Sequence, residues 1–264
     1  MSFLEAIILG VIQGLTEFLP VSSSGHIELG KAILHIQTSD NLLFSIVVHA
    51  ATALSTIIVF RKVIIDLLKG LLQFKNNEEL RYSLKILVSM IPVGIVGLLF
   101  EEKIESLFTG DVLLVGSMLF VTGIMLTITY LKKETVKSIS YGRAMIIGIA
   151  QAIAILPGIS SSGATISTAL MTGVDREKAA RFSFLMVLPP IAGATLLKTK
   201  DFIENTAVAD SISSMVLIIG FLAAFLSGLV ACSWMVKIVK SGKLIYFAYY
   251  CFIVGLSSIV ISLL

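Results

Sequence analysis

The sequence predicts an all-α, polytopic membrane protein with six transmembrane helices and two re-entrant helical hairpins, arranged as an inverted-topology repeat. Three observations lead to this prediction. The composition is strongly apolar, two pairs of short apolar segments are separated by Pro and Ser, and the passage around the first break occurs again in the second half. Together they predict two related halves that face one internal site.

Composition excludes the soluble classes of protein. Of the 264 residues, 56% are hydrophobic and 14% are charged, whereas soluble domains have a charged share of about 25%. The mean hydropathy is +0.99, and a soluble fold of this length could not bury so much apolar surface. The net charge of +3 is small. We expect a membrane around the chain and no nucleic acid among its partners.

Apolar runs between polar residues predict the elements in order. The first pair of short helices covers about 3–19 and 23–36, and the second pair covers about 141–156 and 160–172. Longer apolar runs predict transmembrane helices near 42–60, 83–100, 112–131, 180–197, 211–235 and 244–264. An amphipathic stretch at 66–74 predicts a helix that lies at the membrane surface.

The two broken pairs are predicted to be re-entrant hairpins. Each short helix has about 14–17 residues and is therefore roughly 21–26 Å long, which is marginal for crossing the hydrocarbon layer. Pro20 and Pro157 leave backbone groups without helical partners. Such breaks are tolerated in membranes only where protein or a water-filled cavity surrounds them.

Charge placement predicts the orientation. If each hairpin enters and leaves on one side, sixteen of the 20 Lys and Arg residues fall on one face of the membrane. The other face has only Lys31, Lys103, Lys198 and Lys200. The positive-inside rule makes the first face cytoplasmic, so both termini are expected outside the cytoplasm.

The sequence repeats itself at the two breaks. The run that ends at Gln13 resembles the run that ends at Gln151, and each is followed by Leu-Pro and then by Ser-Ser-Ser-Gly. Each half has one hairpin and three spans, and because three is odd the halves should have opposite orientations. We therefore predict a single membrane domain, 1–264, with repeats at 1–133 and 134–264.

The first break contains side chains suited to proton transfer. Gln13 and Glu17 are four residues apart and so lie on one helical face. A carboxylate in an apolar membrane helix is a functional hypothesis by default. Ser23 and His26 follow at the start of the next helix, near enough to exchange a proton with a group bound there.

Both breaks place small and hydroxyl-bearing residues where a helix begins. Free backbone N–H groups, hydroxyls and the positive end of the helix dipole favour an anion there, phosphate above all. Two such helix ends that converge would hold a diphosphate between them. The candidate substrate-binding residues are Ser22, Ser24, Gly25, Gly158, Ser160, Ser161, Ser162 and Thr165.

These motifs resemble those of the undecaprenyl-diphosphate phosphatase family of the bacitracin-resistance type. The resemblance rests on Gln13-x-x-x-Glu17 and on the runs 20–26 and 157–165, and it extends over essentially the whole chain. It implies hydrolysis of the lipid carrier's diphosphate at the outer face of the bacterial inner membrane, which recycles the carrier for cell-wall synthesis and gives bacitracin resistance. It also implies a divalent cation, magnesium or calcium.

The resemblance further implies roles for individual residues. Gln13 and Glu17 match the family's acidic motif, Ser23 matches its proposed nucleophile, and His26 matches its motif histidine. Glu17 is the expected metal ligand. Whether Ser23 or His26 is the nucleophile stays open at this point, as does whether Glu17 or His26 removes the proton. A homodimer is one of the oligomeric states that the sequence leaves open.

One position departs from the family's pattern. The second motif of the family is Pro-Gly-x-Ser-Arg-Ser, and Ser161 stands at the Arg position. A guanidinium binds phosphate in bidentate geometry, and removing one donor from a dry site costs about 2.7–4 kcal/mol. We therefore expect impaired turnover unless another cation compensates. The alternative function is a polyprenyl-phosphate transporter or flippase, because inverted repeats with broken helices are typical of transporters.

Overall fold

The computed structural model describes residues 1–34, 36, 41–107, 110–132, 136–204 and 213–263, and in these ranges the regular structure is α-helical. In chain order the helices are α1 (Phe3–Thr16), α2 (Ser23–Leu34), α3 (Asn41–Val59), α4 (Arg61–Leu71), α5 (Glu78–Leu99), α6 (Glu101–Glu105), α7 (Val112–Leu131), α8 (Tyr141–Ile153), α9 (Ser161–Met171), α10 (Arg176–Met186), α11 (Leu188–Glu204), α12 (Ser214–Lys240) and α13 (Ile245–Leu263). This confirms the all-α prediction for the described part of the chain.

Several helices are long and apolar enough to cross a membrane. The described residues contain 5 such spans, namely α5, α7, the stretch Arg176–Leu196 across α10 and α11, α12, and α13. The helices α3 and α4 pass the same test only together, as a pair bent by 76°, which raises the number to 6 at most. The protein is therefore polytopic in the membrane.

The first short helix pair consists of α1 and α2. Ser2 begins α1 with a capping box, in which its hydroxyl accepts from the Glu5 N–H and the Glu5 carboxylate accepts from the Ser2 N–H. The helix ends at Thr16, three residues before the predicted end, because turns occupy the stretch that leads to Pro20. The second helix begins at Ser23 as predicted.

The second short pair, α8 and α9, has the same form. The Ser140 hydroxyl accepts from the Arg143 N–H, and α8 begins at Tyr141 as predicted. It ends at Ile153, before the predicted residue 156, and α9 begins at Ser161. The turn between them again contains a Pro, at 157.

Other boundaries shift where polar residues extend or interrupt an apolar run. The helix α5 begins at Glu78, earlier than predicted, because the Asn77 side chain caps it by accepting from the Leu80 N–H. The amphipathic helix is α4, which overlaps the predicted 66–74 but begins five residues earlier. The predicted span 180–197 is two helices that meet at Val187, just before Pro189 and Pro190. Predicted boundaries at 133/134, 211 and 264 lie outside the described residues.

Each hairpin packs against a long helix of the other half. The helix α1 packs against α12, and α8 packs against α5. The approach is close at Gly14, where an added Cβ would overlap the Ala224 carbonyl, and at Gly148, where it would overlap the Ser89 carbonyl. Small residues of this kind let helix backbones approach one another in membranes.

Aromatic side chains mark one end of the long helices. Trp234 on α12 is 54% exposed and Tyr246 on α13 is 65% exposed. Both lie near Lys237, Lys240 and Lys243 in the sequence. Trp and Tyr are enriched at membrane–water interfaces, so this end of the bundle has the character of an interface rich in basic residues.

Candidate active site

The turns of the two hairpins meet inside the protein. A Cβ on Gly25 would lie 3.1 Å from the Cα of Gly158 in the other turn. The Ser162 hydroxyl donates to the Leu19 carbonyl oxygen at 3.1 Å. The N-termini of α2 and α9 are therefore brought together, as the repeat predicted.

Glu17 is the centre of a hydrogen-bond network in the first turn. Its Oε2 accepts from Ser23 Oγ at 2.8 Å and from Gln13 Nε2 at 2.9 Å. Gln13 reaches it from one helical turn earlier. Ser23 reaches it because Ser22 takes a left-handed conformation, with φ of 70°, that folds the chain back. An ionised carboxylate only accepts hydrogen bonds, so the Ser23 hydroxyl hydrogen points at Glu17.

His26 is directed away from Ser23. Its Nδ1 lies 2.9 Å from the Ser22 carbonyl oxygen, and its Nε2 lies 2.8 Å from the Tyr250 hydroxyl. A carbonyl only accepts, so Nδ1 carries the proton, and in the neutral ring Nε2 accepts from Tyr250. The two rings are almost parallel, at 14°. Both ring nitrogens are thus engaged, and Glu17 is the group bonded to the Ser23 hydroxyl.

The other residues of the first turn shape it. The Ser22 hydroxyl accepts from the Gly25 N–H at 3.2 Å and lies 3.3 Å from the Ser24 hydroxyl. Ser22 and Gly25 are buried, whereas Ser23, Ser24 and His26 are partly exposed. The exposed hydroxyls are therefore on the side of the turn that a ligand can reach.

The second turn is held mainly by its own hydroxyls and by Thr122 of α7. The Thr122 hydroxyl donates to the Gly158 carbonyl oxygen at 3.3 Å and accepts from the Ser160 N–H at 3.1 Å. Gly158 has a φ of 97°, which favours Gly. The Ser160 hydroxyl caps α9 by accepting from the Gly163 N–H at 3.0 Å. These contacts fix the start of α9 against the first hairpin.

The remaining predicted residues of the second turn differ in exposure. Ser160, Ser162 and Thr165 are buried, and Ser161 is partly exposed. The Thr165 hydroxyl donates to the Ser161 carbonyl oxygen at 2.7 Å and contacts the Ser183 hydroxyl. The Ser161 hydroxyl lies 3.4 Å from the Ala154 carbonyl oxygen, to which it donates. No predicted site residue lies far from the two turns.

A small cavity opens beside Glu17. Both polar and apolar side chains line it, which suits a ligand that has a polar group and a hydrocarbon part. The polar lining residues are Glu17, Thr52, Thr56, Gln151, Ser161, Ser162, Thr165 and Ser183, and the apolar ones are Phe18, Phe184, Val187 and Ile191.

The oxygen atoms at this site fit a divalent cation. Among the described residues no three His, Cys, Asp or Glu side chains cluster as metal ligands, and Glu17 is the acidic side chain that lines the cavity. The amide oxygens of Gln13 and Gln151 are enclosed and have no hydrogen-bond partner in the described part of the chain. Magnesium and calcium take oxygen ligands from carboxylates, amides and substrate phosphates, so the donor set suits either ion.

Residues 6–257 match the sequence profile described as bacitracin resistance protein BacA. The chain belongs to this family. Its relatives include the undecaprenyl-diphosphatase of Christiangramia forsetii, 56% identical over 264 residues and 99% of each chain. The proteins of the same name from Bacteroides fragilis and Bacteroides thetaiotaomicron are 52% and 51% identical over 99% and 100% of each chain.

Several residues of this family member's site were not predicted, among them the cavity-lining Thr52, Thr56, Gln151 and Ser183. For Gln151 the match to Gln13 in the repeat was a usable signal. Tyr250 and Thr122 reach the site from α13 and α7. No local sequence pattern indicates either residue, because tertiary packing alone brings them to the hairpins.

Proposed function

We propose that this chain hydrolyses undecaprenyl diphosphate to undecaprenyl phosphate and phosphate. The single observation that carries the proposal is the 2.8 Å hydrogen bond from Ser23 Oγ to Glu17 Oε2, which lies where the N-termini of two helices converge. A serine bonded to a general base is the arrangement of an activated nucleophile. The substrate is inferred from the name of the relatives, undecaprenyl-diphosphatase.

In the first step Ser23 Oγ attacks the terminal phosphorus while Glu17 takes the serine proton. The bond from phosphorus to the bridging oxygen breaks, undecaprenyl phosphate leaves with the electron pair, and Glu17 passes the serine proton to this leaving group before the second step. In the second step a water oxygen attacks the phosphoserine and Glu17 accepts a water proton. Ser23 Oγ leaves phosphorus with the electron pair and is reprotonated, and phosphate is released.

The charge on the phosphoryl group is stabilised by the site's fixed dipoles. The N-terminal N–H groups of α2 and α9 point to where the turns meet. Glu17, with Gln13 beside it, would hold the divalent cation, magnesium or calcium, which neutralises charge on the diphosphate when bound. Gln13 keeps the Glu17 carboxylate in position by donating to it.

Ser161 limits this chemistry. It provides a hydroxyl, already donated to the Ala154 carbonyl oxygen, where the family pattern has a guanidinium. We infer that this chain turns over more slowly than a form with Arg at 161. The rest of the phosphate-binding set, Ser24, Gly25, Gly158, Ser160, Ser162 and Thr165, is proposed to act through the shape of the two turns and the helix ends that they fix.

The proposed topology has six spans and two re-entrant hairpins in one membrane domain, with inverted repeats at 1–133 and 134–264. Packing supports it, because α1 packs against α12 as α8 packs against α5, and α7 packs against its counterpart α13. In that last pair Gly116 faces the Gly255 carbonyl and Gly255 faces the Gly116 carbonyl, each at 2.8 Å from an added Cβ. With both termini outside the cytoplasm, a membrane-impermeant thiol reagent on intact cells should label a cysteine at Ser2 and not one at Lys75.

The test of function is phosphate release from undecaprenyl diphosphate by the purified chain in detergent with magnesium. We expect release by the chain and none by Glu17→Ala, since the base and cation ligand are lost together. Binding of undecaprenyl phosphate is measured on the same samples. Binding without any release, in the chain and in Ser161→Arg, would refute the phosphatase and favour the lipid-phosphate transporter.

A further inference from the structure

Gln151 is a buried polar side chain at the edge of the active site, and its amide oxygen has no partner in the described part of the chain. It lies on α8, is 5% exposed, and lines the same cavity as Glu17. Its amide oxygen is enclosed and accepts no hydrogen bond from any described residue. Buried polar groups are nearly always paired in native structures, and an unpaired one requires an explanation such as a bound ion.

Comparison of the repeats shows why Gln151 has no partner. Its counterpart Gln13 donates to Glu17, four residues later on the same helical face. Four residues after Gln151 the chain has Ile155, which cannot accept a hydrogen bond. The second hairpin thus keeps the amide and lacks the carboxylate that would hold it.

The groups that this site offers are acceptors. The Gln151 and Gln13 amide oxygens are enclosed and unpaired among the described residues, and the Glu17 carboxylate, which accepts from Ser23 and Gln13, keeps further lone pairs. The neighbouring hydroxyls are already donated to backbone carbonyls, that of Ser161 to Ala154 and that of Ser162 to Leu19. An excess of oxygen acceptors beside one carboxylate suits a hard divalent cation, because such ions take mixed carboxylate and amide oxygens.

We propose that Gln151 supplies an amide oxygen from the second hairpin to the divalent cation that Glu17 binds. The inference rests on the proposed function in one respect, namely that this cation is the one used in the hydrolysis. It assigns the second hairpin a direct part in holding the metal, so that the ion links the two repeats.

The test measures metal binding without substrate or turnover. The full chain in detergent is titrated with manganese(II), and free ion is followed by electron paramagnetic resonance. Gln151→Met removes the oxygen and keeps a similar side-chain volume. It should weaken manganese binding by about tenfold or more, because loss of one metal-site contact typically lowers metal affinity by about 10- to 100-fold. Gln151→Glu, which has the same shape and adds a charge, should tighten binding by about tenfold.

The matched control is Ser167→Ala on α9. Ser167 is also buried with an unpaired hydroxyl, and it does not line the cavity. Its removal should leave manganese affinity unchanged. If Gln151→Met fails to fold, Gln151→Asn withdraws the same amide by one methylene and should also weaken binding.

The opposite role for Gln151, donation of its N–H to the substrate phosphate, predicts a different result. Manganese affinity would then be the same in all variants, while the KM for undecaprenyl diphosphate would rise in Gln151→Glu through repulsion. That outcome overturns the proposal. Manganese binding that follows the predicted series in a chain that releases no phosphate would refute the phosphatase and leave the ligand assignment intact.

Discussion

The two hairpins share a backbone plan and differ in what their side chains do. In the first, Ser23 donates to the Glu17 carboxylate and His26 is paired with Tyr250. In the second, the residue that corresponds to Ser23 is Ser161, which donates to a backbone carbonyl. The position of His26 is taken by Ala164, which is 2% exposed. One half therefore has groups that can move protons, and the other has groups that fix a turn.

This difference shows what duplication provides in a membrane. Both halves need a break with capped helix ends, because hydrocarbon cannot satisfy free backbone groups. Once both turns are built, only one of them needs the acid and the nucleophile. The second turn is then free to specialise in binding, and in this chain the groups that it offers are neutral hydroxyls and an amide.

The difference between the two hairpins is tested most directly by replacing each of the two corresponding serines with alanine. We expect Ser23→Ala to lower phosphate release by at least about 10³-fold, since loss of a nucleophile removes the covalent route. Ser161→Ala should change release by less than about threefold, because its hydroxyl is donated to the protein's own backbone. Release of phosphate from undecaprenyl diphosphate measures both. Equal losses in the two variants would contradict the division of labour between the hairpins.

A second prediction concerns the missing charge in the second turn. Ser161→Arg should raise phosphate release by roughly 10- to 100-fold. One preorganised donor contributes a factor of about 10²–10³ to kcat, and an arginine introduced into an unadapted turn should recover only part of that factor. The control is Thr168→Arg, which places the same charge on α9 beyond the cavity lining and should not accelerate release. A Ser161→Arg variant no faster than the parent chain would mean that another group already supplies this charge.

The fold was predictable wherever a helix boundary is a break or a cap in the local sequence. The starts at Ser23, Val112 and Tyr141 agree with the prediction to the residue. Ends were less accurate: α12 continues to Lys240, five residues past the predicted end. Apolar runs mark the hydrocarbon-embedded part of a helix, whereas the helix itself continues into the interface until its backbone groups find another partner.

The site was predictable to the extent that it is local. Gln13, Glu17 and Ser23 lie within eleven consecutive residues, so helical spacing and one turn bring them together. Tyr250 reaches His26 from 224 positions away, and no pattern around either residue indicates the contact. The sequence also left His26 open as the base for Ser23, and only the tertiary contact with Tyr250 shows that its ring nitrogens are engaged elsewhere.

The Tyr250 contact leads to a third prediction, of smaller size. Tyr250→Phe keeps the ring and removes the hydroxyl that donates to His26 Nε2, a hydrogen bond that contributes about 0.5–1.5 kcal/mol. We expect kcat to fall by about 3- to 10-fold with little change in KM, because the imidazole loses its fixed orientation. Nitrogen NMR of labelled histidine should show the His26 Nε2 signal shift as it loses its hydrogen bond, while Nδ1 stays protonated against the Ser22 carbonyl oxygen.

The matched variant for this test is Tyr249→Phe, at the neighbouring and 57% exposed position. It removes a hydroxyl of the same kind from a side of α13 that does not contact His26. Both kcat and the histidine spectrum should stay as in the parent chain. Equal effects of the two variants would assign the loss to the helix surface instead of to His26.

The smallest expected effect concerns the hydrogen bonds that hold the second turn against α7. Thr122→Val removes the hydroxyl that joins the Gly158 carbonyl to the Ser160 N–H, at a cost of about 1–3 kcal/mol for leaving buried groups unpaired. We expect the thermal midpoint in detergent to fall by several degrees, at roughly 2–4 °C per kcal/mol for a chain of this size. Thr127→Val on the same helix, where the hydroxyl donates to Gly123 of its own helix, should lower it less. Both substitutions replace a helical Thr by Val, so equal destabilisation would mean that the contact between α7 and the second turn adds no stability of its own. The second turn would then have to be held by the first hairpin alone.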